Sequence, residues 1–124
     1  MRRTTIKTKA TTFAALTLGA AVLAAGPADG AISATPKKTV KVGDNFFSPK
    51  RMTVKAGTIV SWKWNSDNAD SHDVKLKKGP SGVKKFHSEI ASTDYTYKKK
   101  LSKKGSYSLL CTLHEGMTQK ITVK

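Results

Sequence analysis

Cys111, His114 and Met117 lie within one seven-residue segment near the C-terminus of this 124-residue chain. A thiolate, an imidazole and a thioether on one short segment form a ligand set that favours copper. Cys111 is also the only cysteine, so the chain cannot form an internal disulfide. A metal is therefore the best explanation of the odd cysteine, and the spacing predicts a copper site.

This predicted site lacks one strong ligand. Copper sites that transfer electrons combine two imidazole nitrogens and a thiolate with a weak axial thioether. The chain has only three histidines. His72 is the candidate for the second imidazole, whereas His87 has no ligand-type residue beside it and is interpreted as a surface or turn residue.

The same residues also have ordinary structural interpretations. A free cysteine often behaves as a small buried hydrophobe, and methionine suits irregular cores. From chemistry alone, core packing stays an alternative for Met117. A lone histidine is more often a surface residue than a ligand, but the position of His114 three residues after Cys111 and three before Met117 favours ligation by His114.

Residues 1–34 are predicted to be an export signal. Four basic residues precede an apolar run over 10–25, and small residues follow it. The run falls short of the roughly 20 residues that a membrane-spanning helix needs, so a cleaved signal is favoured over an anchor. Cleavage after Ala28, Gly30 or Ala34 fits equally, and Arg2-Arg3 leaves the twin-arginine and general routes open. The predicted location is the periplasm, the cell envelope or the extracellular medium.

The remaining domain, residues 35–124, is small and strongly basic. Without the signal, the totals of 23 basic and 8 acidic residues fall to 19 and 7, a formal charge of +12. Few aromatic residues lie among the lysine clusters and no nucleic-acid motif is present, which argues against nucleic-acid binding. The charge instead predicts an acidic redox partner or an anionic envelope surface. A solvated surface without a partner has equal weight.

Short alternating runs broken by glycine, proline and asparagine predict an all-β sandwich. The clearest run is 58–64, in which Val60, Trp62 and Trp64 share one face and are expected in the core. The other predicted strands are 39–42, 52–55, 72–76, 94–97, 106–111 and 118–123. The ligand segment then joins the last two strands, which restrain it at both ends.

Several segments in a fixed order carry a family resemblance. They are Phe47-Ser48-Pro49, 57–62, Trp64-Asn65-Ser66-Asp67, His72-Asp73-Val74 and 105–117. Together they resemble the cupredoxin (type 1 blue-copper) family, which includes plastocyanin, pseudoazurin and amicyanin. The short Cys-x2-His-x2-Met spacing is most similar to that of amicyanin.

The resemblance implies a cupredoxin-like Greek-key β-sandwich of about seven to eight strands over residues 35–124. It also implies one copper ion that cycles between Cu(I) and Cu(II). The implied ligands are His72, Cys111 and His114, with Met117 as the weak axial ligand. Asp73 stands where many relatives have an asparagine whose side chain ties the two ligand segments together.

The implied function is the transfer of single electrons between redox partners by a monomeric, exported protein. An enzyme is not expected, because only His87 remains for a second, catalytic copper once the other histidines are assigned. The alternative is a copper scavenger, buffer or delivery module of the cell envelope.

Overall fold

The protein is represented by a computed structural model, which describes residues 34–124. The predicted export signal lies outside these residues apart from Ala34, so the signal and its cleavage site stay predictions. Residues 35–124 form one compact unit. Because this unit contains its own core, we expect it to fold by itself. Within residues 34–124, no helix is long and apolar enough to cross a membrane.

Eight strands form two four-stranded sheets. The strands are β1 (Lys37–Gly43), β2 (Phe46–Ser48), β3 (Arg51–Val54), β4 (Thr58–Trp64), β5 (Lys75–Lys78), β6 (Thr96–Leu101), β7 (Gly105–Leu110) and β8 (Thr118–Val123). Their order is β2-β1-β4-β6 in one sheet and β3-β8-β7-β5 in the other. The pairs β1–β4 and β3–β8 are parallel, so they need crossover connections rather than hairpins. The predicted all-β sandwich of seven to eight strands is confirmed.

The predicted strands 58–64 and 118–123 match β4 and β8, whereas the others differ by one to four residues at their ends. β2 was not predicted, because a strand of three residues is too short to show alternation. The prediction of 72–76 was wrong at its start, since His72 makes only an isolated bridge with Ala91. The prediction of 94–97 was also wrong at its start, because Asp94 adopts a left-handed φ of 55° and β6 begins only at Thr96.

The inner face of β4 forms the centre of the core. Val60, Trp62 and Trp64 are buried and Lys63 is exposed, which confirms the predicted alternation. The Trp62 indole N–H donates a 2.8 Å hydrogen bond to Gln119 Oε1 on the opposite sheet. The Trp64 indole N–H donates to the His72 backbone carbonyl at 3.1 Å. The core tryptophan next to the loop therefore holds the backbone of a predicted ligand.

The loops that carry the predicted ligands meet at one end of the sandwich, which we call the ligand end. There the loop 65–74 follows β4, and the loop 111–117 joins β7 to β8. At the opposite end, the Gly57 N–H donates to the Leu101 carbonyl and the Ala56 N–H donates to the Lys124 carbonyl. Each ligand loop joins two strands that are paired within their sheets, β4 and β5 for 65–74 and β7 and β8 for 111–117, which restrain the loop at both ends.

Candidate metal centre

Three predicted ligands converge at the ligand end. One potential ligand atom from each of His72, Cys111 and His114 lies within 4.8 Å of the others. Cys111 Sγ is 3.7 Å from His114 Nδ1, and the two imidazole ring centroids are 4.7 Å apart. The fold therefore brings the distant His72 to the cysteine loop, as the sequence prediction requires.

The His72 ring is held in an orientation that leaves one nitrogen available to a metal. It is fully buried, and its Nε2 lies 2.9 Å from Asp44 Oδ1. When Nε2–H donates to that carboxylate, Nδ1 keeps its lone pair. Of the buried side-chain nitrogen and oxygen atoms in residues 34–124, His72 Nδ1 is the one that lacks a hydrogen-bond partner. Because an unsatisfied buried acceptor is costly, a metal ion at Nδ1 fits this residue.

Asp44 stays ionised because several donors surround its carboxylate. The backbone N–H of Ala69, the His72 ring and the backbone N–H of Asp70 lower the pKa of Asp44 from 3.8 to about 2. A carboxylate at neutral pH is the acceptor that the His72 tautomer needs. Sequence reasoning missed Asp44, which lies in the turn between β1 and β2, 28 residues before His72.

Backbone hydrogen bonds close the cysteine loop on itself. The Cys111 N–H donates to the Met117 carbonyl at 2.9 Å, and the Met117 N–H donates to the His114 carbonyl at 3.2 Å. Gly116 adopts a left-handed φ of 84°, a conformation that costs glycine little. Met117 is buried in the core cluster, so it packs as a core residue beside the site, and its ligation stays a prediction.

Asp73 ties the two ligand segments together. Its Oδ1 accepts a 2.7 Å hydrogen bond from the Thr112 backbone N–H, and its Oδ2 accepts from the Thr112 hydroxyl. Burial by itself raises the pKa of Asp73, but the hydrogen bonds from His87 and Thr112 outweigh it and leave that pKa lowered. The aspartate thus makes the connection that the resemblance assigns to an asparagine.

His87 is more than the predicted surface residue. Its side chain is 46% exposed, but its Nε2 lies 2.7 Å from Asp73 Oδ2. The prediction of an exposed residue was therefore incomplete, because His87 also supports the carboxylate beside the site. The two residues lie 14 positions apart, a separation that matches no regular repeat, so the sequence could not have predicted this contact.

Replacing the connecting carboxylate should loosen the site and the domain together. We expect Asp73→Ala to lower the free energy of unfolding by about 3 kcal/mol, because hydrogen bonds to charged groups contribute about 1.5–3 kcal/mol each. Urea unfolding of residues 34–124 without metal measures this loss. The control is Asp73→Asn, whose amide oxygen still accepts from the Thr112 N–H and which should lose less. Equal stability of the two variants would contradict the connecting role.

Comparison with known proteins gives a consistent result. Residues 34–124 match the sequence profile of copper binding proteins of the plastocyanin/azurin family. The chain is 32% identical over 105 residues to amicyanin-alpha of Methylorubrum extorquens. The matched region covers 84% of this chain and 87% of the relative.

Solved structures show the same similarity. The reduced Cu(I) form of an amicyanin variant at pH 4 is 26% identical with a TM-score of 0.61, over 79% of this chain and 86% of that one. A copper-containing nitrite reductase from Thermus scotoductus is 25% identical with a TM-score of 0.63. The match covers 81% of this chain but only 25% of the reductase chain.

Proposed function

The chain belongs to the plastocyanin/azurin family of copper-binding proteins, and from this premise we propose that it carries single electrons between redox partners. The observation that carries the proposal is the convergence of His72, Cys111 and His114 around the unpartnered His72 Nδ1. Two imidazoles and a thiolate on a buried site are the strong ligands of electron-transfer copper centres.

Copper would be held by His72 Nδ1, Cys111 Sγ and His114 Nδ1, with the Met117 thioether as a weak fourth ligand. Bound copper supplies a one-electron Cu(I)/Cu(II) couple. The protein supplies a rigid frame, because Asp44 orients the His72 ring and Asp73 joins the two ligand loops. A frame held in this way limits movement of the ligands between the two oxidation states.

His114 is the proposed electron port. Its side chain is 25% exposed, whereas Cys111 and His72 are 5% and 0% exposed. The neighbouring Leu113 is a large apolar side chain with 46% exposure. An exposed apolar residue beside the ligand that reaches the surface lets a partner approach the imidazole edge closely.

Electron transfer is favoured over copper handling. A delivery module needs ligands that exchange readily, but most of the proposed ligands here are buried. We also propose that the chain is not an enzyme, although one similar structure is a nitrite reductase. Of its three histidines, two are assigned to the site and His87 contacts Asp73, which leaves no histidine set for a catalytic copper.

We further propose that the protein is exported and monomeric. The segment at 1–34 supports export, since basic, apolar and small residues follow one another as in signal peptides. An acidic redox partner and an anionic envelope surface both stay proposals from the net charge. The exposed Asp70 and Glu115 lie close to His114 in sequence or space, so the charge near the port differs in sign from the charge of the whole domain.

Copper reconstitution tests the proposed function. Residues 34–124, refolded with Cu(II), should bind one copper per chain and show an intense visible thiolate-to-copper charge-transfer band. Voltammetry should be reversible, and a soluble chelator should remove the metal slowly. A colourless complex would contradict the electron-transfer site. Rapid loss of copper to the chelator together with irreversible voltammetry would favour copper handling.

A further inference from the structure

Charges are separated along the long axis of the sandwich. None of the eight strands contains an acidic residue. All seven carboxylates of residues 34–124 lie in loops, and five of them are exposed: Asp67, Asp70, Glu89, Asp94 and Glu115. The loops that hold them lie at the ligand end. The loop after β5 is placed there by two backbone contacts: Ala91 pairs with His72 in an isolated bridge, and the Tyr95 carbonyl accepts from the Trp64 N–H. The ligand end is therefore acidic on a domain that is basic elsewhere.

A concave surface lies towards the opposite end, where β6 ends and β7 begins. It encloses about 270 Å³, and its lining includes Lys84, Lys99, Lys100 and Lys103 together with Phe86 and Tyr107. We call it the basic hollow. All four lysines are exposed, and no acidic residue of the described chain lines the hollow.

Two contacts shape the basic hollow. The Lys99 ammonium lies 5.4 Å from the centroid of the Phe86 ring, within the range of a cation–π interaction. The Tyr107 hydroxyl donates a 2.6 Å hydrogen bond to the Lys103 carbonyl, which holds the turn between β6 and β7. The ion pairs found within residues 34–124 all involve histidine. The lysines of the hollow thus keep their charge available to an external anion.

The distance to the ligand loop argues against a small electron partner as the occupant. β7 runs from the hollow towards that loop, and six residue steps from Gly105 to Cys111 span about 20 Å in an extended strand. A redox centre seated in the hollow itself would therefore lie far from His114. The lysine-rich lining of the hollow fits an anionic occupant for which closeness to His114 is not required.

We propose that the basic hollow docks the protein on the phosphate groups of an anionic lipid bilayer, with the ligand loop turned away from the membrane. Lysine ammonium groups bind phosphate as compact point charges. Each lysine near an anionic bilayer contributes about fivefold to the partition coefficient. Repulsion of the exposed carboxylates at the ligand end favours the same orientation. The inference goes beyond electron transfer and does not depend on bound copper.

Vesicle sedimentation with residues 34–124 tests the docking surface. The protein should bind phosphatidylglycerol-containing vesicles at low salt and should not bind pure phosphatidylcholine vesicles. One variant replaces the four lysines of the hollow: Lys84→Gln, Lys99→Gln, Lys100→Gln and Lys103→Gln. Its partition coefficient should fall at least ~100-fold, since four fivefold factors are lost. Failure of the unaltered domain to bind anionic vesicles overturns the proposal.

A second variant with the same net charge is the matched control: Lys37→Gln, Lys41→Gln, Lys63→Gln and Lys120→Gln. These strand lysines are exposed and lie outside the hollow. The control should bind at least tenfold more tightly than the hollow variant. Equal losses in the two variants would mean that only net charge matters, and would overturn the assignment of the hollow. Thermal unfolding of both checks that these surface changes leave the fold intact.

Hydrogen exchange on the unaltered domain tests the orientation independently. Anionic vesicles should slow amide exchange at 82–86 and 99–103 and leave 111–117 unchanged. Protection of 111–117 instead would overturn the orientation. A final arm uses polyglutamate as an acidic protein mimic. Hollow-dependent binding to polyglutamate without binding to vesicles would assign the hollow to an acidic protein and overturn the lipid proposal.

Discussion

Cys111→Ser is expected to abolish the intense visible band of the copper-loaded protein. The band requires a thiolate bound to copper, and a serine hydroxyl does not ionise at neutral pH to replace it. Cu(II) affinity should fall at least ~100-fold, because the loss of even an outer partner of a ligand costs about 10–100-fold. Absorption spectra recorded during Cu(II) titration measure both effects on one sample.

The control for this experiment is Met117→Leu. It conserves volume at a buried position and leaves the thiolate and both imidazoles in place. If Met117 is the weak fourth ligand that we propose, this variant should keep the band while its reduction potential changes, since a thioether contributes little to such a site. A Cys111→Ser protein that remains intensely coloured would show that another group produces the absorption and would refute the assigned thiolate.

Trp62→Ala should have the largest effect on stability. Trp62 is fully buried at the centre of β4, and large-to-small changes of this kind cost about 3–5 kcal/mol. Small domains have total stabilities of about 5–15 kcal/mol, so the variant loses at least about a fifth of its folding free energy and could lose all of it. At about 4–8 °C per kcal/mol, the expected fall in Tm is roughly 12–40 °C. Thermal unfolding followed by circular dichroism, without metal, measures it.

Trp62→Phe separates the volume of this side chain from its hydrogen bond. Phenylalanine keeps an aromatic ring in the core but removes the indole N–H that donates to Gln119 Oε1. An unsatisfied buried acceptor costs about 1–3 kcal/mol, so this variant should lie between the natural protein and Trp62→Ala. A Trp62→Ala protein destabilised no more than Trp62→Phe would show that the hydrogen bond, and not the buried volume, dominates.

The sequence gives the total charge of the domain, whereas the structure shows where the charges lie. The sequence alone predicts a basic domain and therefore an acidic or anionic partner. The structure shows that the exposed carboxylates gather around the ligand end, while Lys84, Lys99, Lys100 and Lys103 surround a hollow towards the other end. A single value for the net charge cannot represent this separation, because it contains no positions.

Local patterns were sufficient for the strands with strong alternation and for the cysteine loop. The two-residue period of 58–64 predicted β4, since successive side chains of a strand point to opposite faces. The spacing of Cys111, His114 and Met117 predicted a common loop because a few covalent links keep those residues close. Short or locally irregular segments escaped this reasoning, as with Phe46–Ser48 and the backbone around His72.

The sequence by itself therefore determined the sandwich class and the types of the predicted ligands, three of which it placed on one loop. Only the tertiary structure decided which carboxylate orients His72 and which residue joins the loops. Asp44 lies 28 residues before His72, and Asp73 lies 39 residues before Thr112. Contacts over such separations depend on the order and packing of both sheets. No local period or spacing encodes them, because they exist only once the strands between them have paired.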